Sequence, residues 1–337
     1  MFDGSKRFGT YVMDEFEFES GRVLNDVDVE YYTVGNPIYD SDGNIINSII
    51  FCPAVKGAQS LFNEMPINVS RLIIAKKEYF YIIITSLGAP ESCSPSTTGL
   101  KYNFPNYTFK DRVNFKRKFL KDKFNIVKVH GVVGEGVGGF DVFTWACEYP
   151  DEMEFIVVIN SSCENSGYKY VVANTVNEMI ESSDKYYSEI YSSSLTQTMM
   201  AINRLLFAFY LPKRILTGFN NDELEYMMEE YVEDGLFLDV YDFKIRNDCI
   251  INYNIKDKLS NIKVKTLVIS TYDNVFFIPE VDAIPLKDLI EDCHVLLFKS
   301  NKMVYSDLED FSEMTGPVDD FVRPFIEKIL EDSEDYL

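Results

Sequence analysis

A strand-like run, IVKVHGVV at 126–133, leads straight into GEGVGG at 134–139 and then into FDVFTWACEYP, which reads as a helix. A strand, a glycine-dense turn and a helix suit more than one kind of chemistry. The N-terminus of a helix after such a turn attracts phosphate. A turn of the form G-x-S-x-G presents a nucleophile. A third reading is a tight connection with no chemistry. The dinucleotide fingerprint G-x-G-x-x-G fits Gly134, Gly136 and Gly139, so a phosphate or dinucleotide binder at 134–139 is one reading. Against it, this strand is the fourth or fifth and not the first. No acidic residue closes the next strand to hold a ribose, because that strand ends in Asn160-Ser161-Ser162.

Other residues around the turn have chemical potential. Glu135 can act as a general base if burial raises its pKa. Ser161 and Ser162 are hydroxyls at the end of the next strand, where hydrogen bonding within a turn is their ordinary role. The chain has only two histidines, His130 and His294. His130 falls within the strand-like run, and His294 opens the run HVLLFKS at 294–300. Six cysteines, at 52, 93, 147, 163, 249 and 293, form no CxxC pair. They read as buried free thiols in a reducing compartment, with no metal site and no implied cofactor.

The elements that must position these residues follow from the apolar pattern. Residues 11–34 alternate as two strands around a turn. Short continuous β-branched runs follow at 48–55, 79–86, 126–133, 155–161, 265–271 and 294–300. Continuous apolarity predicts strands covered on both faces, as in a parallel sheet. Helices are expected at 107–122, 137–149, 280–291 and 318–331. In the first of these, Phe109, Val113 and Leu120 share a face, with Phe115 and Phe119 in a second row. Strand–helix alternation gives an α/β fold with a mostly parallel central sheet and an N-terminal antiparallel hairpin. Residues 165–258 lack strand runs and read as a helical cap inserted between strands six and seven. The domains are then a core of 1–164 and 259–337, and the cap.

Composition narrows the partners. The 337 residues are 46% hydrophobic, enough for a large core, and carry a formal net charge of −22. A chain this acidic repels phosphate backbones and anionic lipid, so neither nucleic acid nor a membrane is an expected partner. The N-terminus has no apolar signal-peptide core, and the run at 79–90 is too short to span a bilayer. The expectation is a soluble cytoplasmic protein.

Several segments taken together resemble the homoserine O-acetyltransferase branch of the α/β-hydrolases. FEFESGRVLNDVDVEYYTVGNP (16–37) looks like that family's N-terminal hairpin, and FCPAVKG (51–57) occupies the place of its His-Ala-Leu-Thr-Gly-like turn. SLG (86–88), TTG (97–99) and FPNYTFKDRV (104–113) resemble the loop leading into Phe-Pro-x-x-Thr-x-x-Asp-x-Val. GEGVGGFDVFTWACEYPDEMEFIVVINSS (134–162) is similar to the Gly-Gly-Ser-Met-Gly-Gly elbow with the Trp-Ala and Tyr-Pro after it. LVISTYDNVFFIP (267–279) looks like the strand that carries the family's acid.

The resemblance implies an α/β-hydrolase fold, with site residues that depart from the family pattern. The serine nucleophile is replaced by Gly136, and the histidine base by Lys302. The acid position falls on Asp273 or Asn274. Met303 stands where the family has an acidic residue for the substrate amine. His294 lies at the beginning of the run 294–300, about six residues or ~20 Å of extended chain from the turn that holds Lys302, and does not replace the base. The backbone N–H groups of Val55 and Val137 match the family's oxyanion donors, which need no particular side chain. The sequence thus implies a homologue without nucleophile or base that binds a small acyl or carboxylate ligand or a protein partner. The alternative is an active acyltransferase or esterase working through Glu135, Lys302 and Asp273. The resemblance also implies a homodimer through the cap.

Overall fold

The computed structural model describes residues 7–54, 79–188, 193–209, 213–272 and 274–298. One eight-stranded sheet runs in the order β1-β2-β4-β3-β5-β6-β7-β8. Strands β1 (Arg7–Glu17) and β2 (Val23–Val34) form the antiparallel hairpin, and β2 pairs antiparallel with β4 (Phe80–Ile84). Every further pairing is parallel, through β3 (Ser48–Cys52), β5 (Gly131–Glu135), β6 (Phe155–Ile159), β7 (Lys265–Thr271) and β8 (Cys293–Phe298). Both faces are buried in the central strands. Ile50, Ile82, Val132, Ile156 and Val268 join the main apolar core, while Ile49, Ile83, Val133, Val157 and Ile269 are buried on the other face. That double cover is why these strands read as continuous apolar runs.

Helix α1 (Phe109–Phe124) starts at a reciprocal cap. Thr108 accepts from the Asp111 backbone N–H, and Asp111 accepts from that of Thr108. Both expected rows are buried, and α1 packs Phe115 and Phe119 against Phe16, Tyr11 and Tyr31 of the hairpin. Asn125, at φ +55°, ends the helix. Helix α2 (Val137–Glu148) follows β5 directly and buries Phe140, Val142, Phe143, Trp145 and Ala146.

Between β6 and β7 the described residues form helices α3 (Tyr168–Glu181), α4 (Ser193–Phe207), α5 (Lys213–Leu216), α6 (Asn221–Gly235) and α7 (Val240–Ile251). They build a second apolar cluster from Val176, Ile180, Leu195, Met199, Ile202 and Tyr241. Helix α7 joins both cores, since Phe243 packs in that cluster while Ile245 and Cys249 pack in the main one.

Two local expectations are corrected. The elbow strand starts at Gly131 and not at 126. Residues 126–130 form a connection in which Ile126 N–H bonds Leu120 O, Val129 N–H bonds Glu152 O and Val127 is exposed. His130 therefore precedes the strand. The expected helix at 280–291 is two single turns, α8 (Pro279–Asp282) and α9 (Leu286–Leu289), because Pro285 between them has no N–H to continue a helix. The expected helix at 318–331 lies outside the described residues.

Candidate functional site

The parallel strands reverse their order of addition between β3 and β5, the place where open α/β sheets leave a crevice at the carboxyl ends of their strands. Glu135, Gly136 and Ala54 stand there. Gly136 adopts φ +55° and ψ −121°, a region that costs a residue with a Cβ on the order of 1–3 kcal/mol. Its N–H donates to Ile159 O at 3.0 Å, and its carbonyl accepts from Gly139 N–H at 3.0 Å. This is the sharp strand-to-helix turn of a nucleophile elbow.

The glycines of the turn differ in what they allow. A Cβ on Gly138 would stand 2.0 Å from Cys52 O, one on Gly134 2.5 Å from Gly138 O, and one on Gly139 2.4 Å from Ser161 Oγ. Those three let β3, β5 and α2 approach closely. A Cβ on Gly136 would meet only Ala54 Cβ at 3.6 Å and Phe277 Cε2 at 3.9 Å, ordinary contact distances. The turn thus has room for a side chain where its sequence supplies none. The N–H groups of Val137 and Gly138, the first two of α2, precede the first intrahelical bond and sit at the positive end of the helix dipole. They can receive a carbonyl or carboxylate oxygen. The second expected donor, Val55, lies outside the described residues, as do Asp273, Lys302 and Met303.

Glu135 is partly buried. A Cβ on Gly134 would face Gly138 and Val142, so strand alternation turns Glu135 away from α2. No cation or hydrogen-bond donor meets its carboxyl among the described residues, and burial pushes the pKa up to about 7. Asn274, the alternative acid position, shapes the backbone instead. Its Oδ1 accepts from the N–H groups of Phe276 at 3.0 Å and Phe277 at 2.8 Å. Ser161 Oγ donates to Gly136 O at 2.7 Å and so ties the end of β6 to the elbow, while Ser162 Oγ donates to Glu164 O at 2.7 Å within a local turn. His130 Nδ1 lies 2.9 Å from Glu154 at the opposite end of β5, and the His294 side chain is exposed beside Asp292. Neither histidine reaches the elbow.

The structure adds residues that sequence reasoning missed. Lys169, at the start of α3, pairs with Asp282 of α8, donates to Ser162 Oγ at 3.2 Å and stands 5.4 Å from the Phe277 ring centre. Lys169 and Asp282 are 113 positions apart, so no local spacing announced them. Deeper, Asp141 of α2 accepts from Arg112 Nε and Nη2, each at 2.8 Å, and from Lys116 Nζ at 2.9 Å. Lys116 also donates to Ser86 Oγ at 2.9 Å. Burial opposes ionisation of Asp141, but the two cations outweigh it and hold its carboxyl below the usual range. Five cysteines are buried free thiols, and Cys293 is partly buried. Among the described residues no cluster of three or more His, Cys, Asp or Glu side chains forms a metal site, and no helix is long and apolar enough to cross a membrane.

Comparison with known proteins places this geometry. No protein-family model matches the chain. It is 35% identical over 290 residues to a probable acyltransferase of Methanothermobacter thermautotrophicus, a match covering 86% of this chain and 90% of that protein. A homoserine O-acetyltransferase of Zymomonas mobilis is 29% identical over 169 residues, 45% of this chain and 44% of the other. In fold, the chain resembles an acetylester hydrolase from Corynebacterium glutamicum, with a TM-score of 0.78, 18% identity and coverage of 95% and 96% of the two chains. It resembles the homoserine O-acetyltransferase from Bacillus anthracis equally well, with a TM-score of 0.78, 18% identity and coverage of 94% and 97%. The chain therefore belongs to the family of the Methanothermobacter probable acyltransferase, with an α/β-hydrolase fold related to homoserine O-acetyltransferases and acetylesterases.

Proposed function

We propose that this chain is a non-catalytic member of its family, which holds a small acyl or carboxylate ligand at the elbow. One observation carries the reading. The turn keeps the backbone geometry of a nucleophile elbow, while the residue in the nucleophile position is Gly136, with no atom to attack a carbonyl. The loss of a histidine base at Lys302 points the same way. What supports binding is the α2 N-terminus, whose N–H groups stabilise an oxyanion or carboxylate without any nucleophile. The cap-to-cap homodimer is part of the same proposal, and sedimentation velocity on the full chain tests it.

The experiment is turnover of p-nitrophenyl acetate, and of acetyl-CoA with homoserine, by the wild-type protein and by Glu135→Gln. The expected result is no turnover above the uncatalysed rate by either protein. Glu135 favours a second reading. Its carboxyl, unpartnered among the described residues and with a pKa of about 7, suits a general base that activates water beside the empty nucleophile position. Turnover by the wild type that disappears in Glu135→Gln would establish that second reading and overturn the first.

A further inference from the structure

Beside Gly136 the chain presents an aromatic wall held at both ends by polar anchors. Asn274 Oδ1 fixes the N–H groups of Phe276 and Phe277 at the start of the turn after β7. At the end of that turn, Asp282 Oδ2 accepts from Ile278 N–H at 2.7 Å, and Asp282 is itself held by buried Lys169. Between these anchors the rings of Phe276 and Phe277 stay partly exposed. Phe277 reaches to 3.9 Å from the empty Cβ position of Gly136 and packs edge-on against Phe140 of α2. Phe276 lies nearly parallel to Tyr168 at 6.4 Å and is tilted against Phe209, just past the end of α4, at 5.6 Å. Tyr168 and Phe209 are also partly exposed and nearly parallel, at 6.3 Å. The Tyr168 hydroxyl has no hydrogen-bond partner among the described residues, and a ligand's polar group would satisfy it.

We propose that the ligand of this site carries a planar apolar body, an aryl or conjugated acyl group, on the carbonyl or carboxylate received by α2. Phe277, Phe276 and Phe209 take the body, and the Tyr168 hydroxyl takes a polar substituent on it. Ligand sites are typically apolar with a few placed polar groups, and rigid rings bind flat groups at small entropic cost. Fixing the turn at Asn274 and Asp282 pre-pays the ordering of Phe276 and Phe277. The inference rests on the ligand-binding reading of the elbow.

The test is isothermal titration of the full chain with acetate, phenylacetate and 4-hydroxyphenylacetate. Phenylacetate is expected to bind at least about tenfold tighter than acetate, the effect of burying one ring. Phe276→Leu, which keeps bulk but not the plane, is expected to remove most of that preference. Tyr168→Phe is expected to weaken 4-hydroxyphenylacetate several-fold and leave phenylacetate unchanged, with equal melting temperatures for the two proteins. Equal affinity for acetate and phenylacetate, binding of none of the three acids, or a preference untouched by Phe276→Leu would overturn the inference. Turnover of an aryl ester combined with the aromatic preference would overturn the non-catalytic reading while supporting the assigned ligand class.

Discussion

Glu135 and Asp141 are two carboxylates on either side of one elbow, and they meet opposite surroundings. Asp141 is fully buried, but Arg112 and Lys116 fill its acceptor positions and keep it ionised. Glu135 stands at the end of β5 with no partner among the described residues, and burial raises its pKa to about 7. The first arrangement fastens α2 to α1. The second leaves a costly group unsatisfied at the carboxyl edge of the sheet, where ligands enter proteins of this architecture. The difference separates scaffold from site within a few residues of chain. On the proposed reading, the nucleophile position at Gly136 is lost while the supporting network around Asp141 persists.

Substitution breaks this comparison most directly. Asp141→Asn leaves two buried cations without their counter-charge and is expected to cost about 3–5 kcal/mol in urea unfolding. Glu135→Gln removes a charge that lacks compensation and is expected to change stability by less than about 1 kcal/mol. Equal losses in the two variants would end the distinction between scaffold and site.

The glycines sharpen the comparison at the next level. Gly138→Ala drives a methyl group toward Cys52 O and is expected to destabilise by about 2–3 kcal/mol. Gly136→Ser has space and costs only backbone strain, about 1–2 kcal/mol in the same unfolding assay. A Gly136→Ser variant less stable than Gly138→Ala would contradict the assignment of Gly136 as the roomy position.

The smallest effect is in pH. The Glu135 carboxyl binds its proton more tightly in the folded chain than in the unfolded one, where 4.5 is the ordinary value. Its contribution to stability is therefore present below about pH 4.5 and is lost as the pH rises through about 7, on the order of 1 kcal/mol for a group that is only partly buried. Asp141 has the opposite sign. Its contribution is present above its ordinary value of 3.8 and is lost as the pH falls through its lowered folded value. Urea midpoints between pH 4.5 and 8 should slope downward in the wild type and flatten in Glu135→Gln.

Much of this architecture is legible in the sequence because it rests on local patterns. The alternating hairpin, the continuous β-branched strands and the glycine turn each leave a signature within about ten residues. The strand at 265–271 is observed with the bounds its residues suggest. The start of β5 was illegible because IVKVH is as apolar as a strand, while its hydrogen bonds go to Leu120, Glu152 and Ser48. In α1 the sequence marks only the apolar rows, yet Arg112 and Lys116 are 2% and 0% exposed as well, since Asp141 compensates them from another helix. Lys169, Asp282 and the aromatic wall come from three distant segments, so only the fold assembles them.

The proposed elbow, one that keeps its shape without a nucleophile, can be probed on the intact chain. Intact-mass spectrometry after brief exposure to p-nitrophenyl acetate, with acid quench, does so on the wild-type protein, using Gly136→Ser for comparison. No acetyl adduct is expected on the wild type beyond the slow labelling of surface lysines. A rapid, stoichiometric single acetyl group on the wild-type protein would contradict a nucleophile-free elbow.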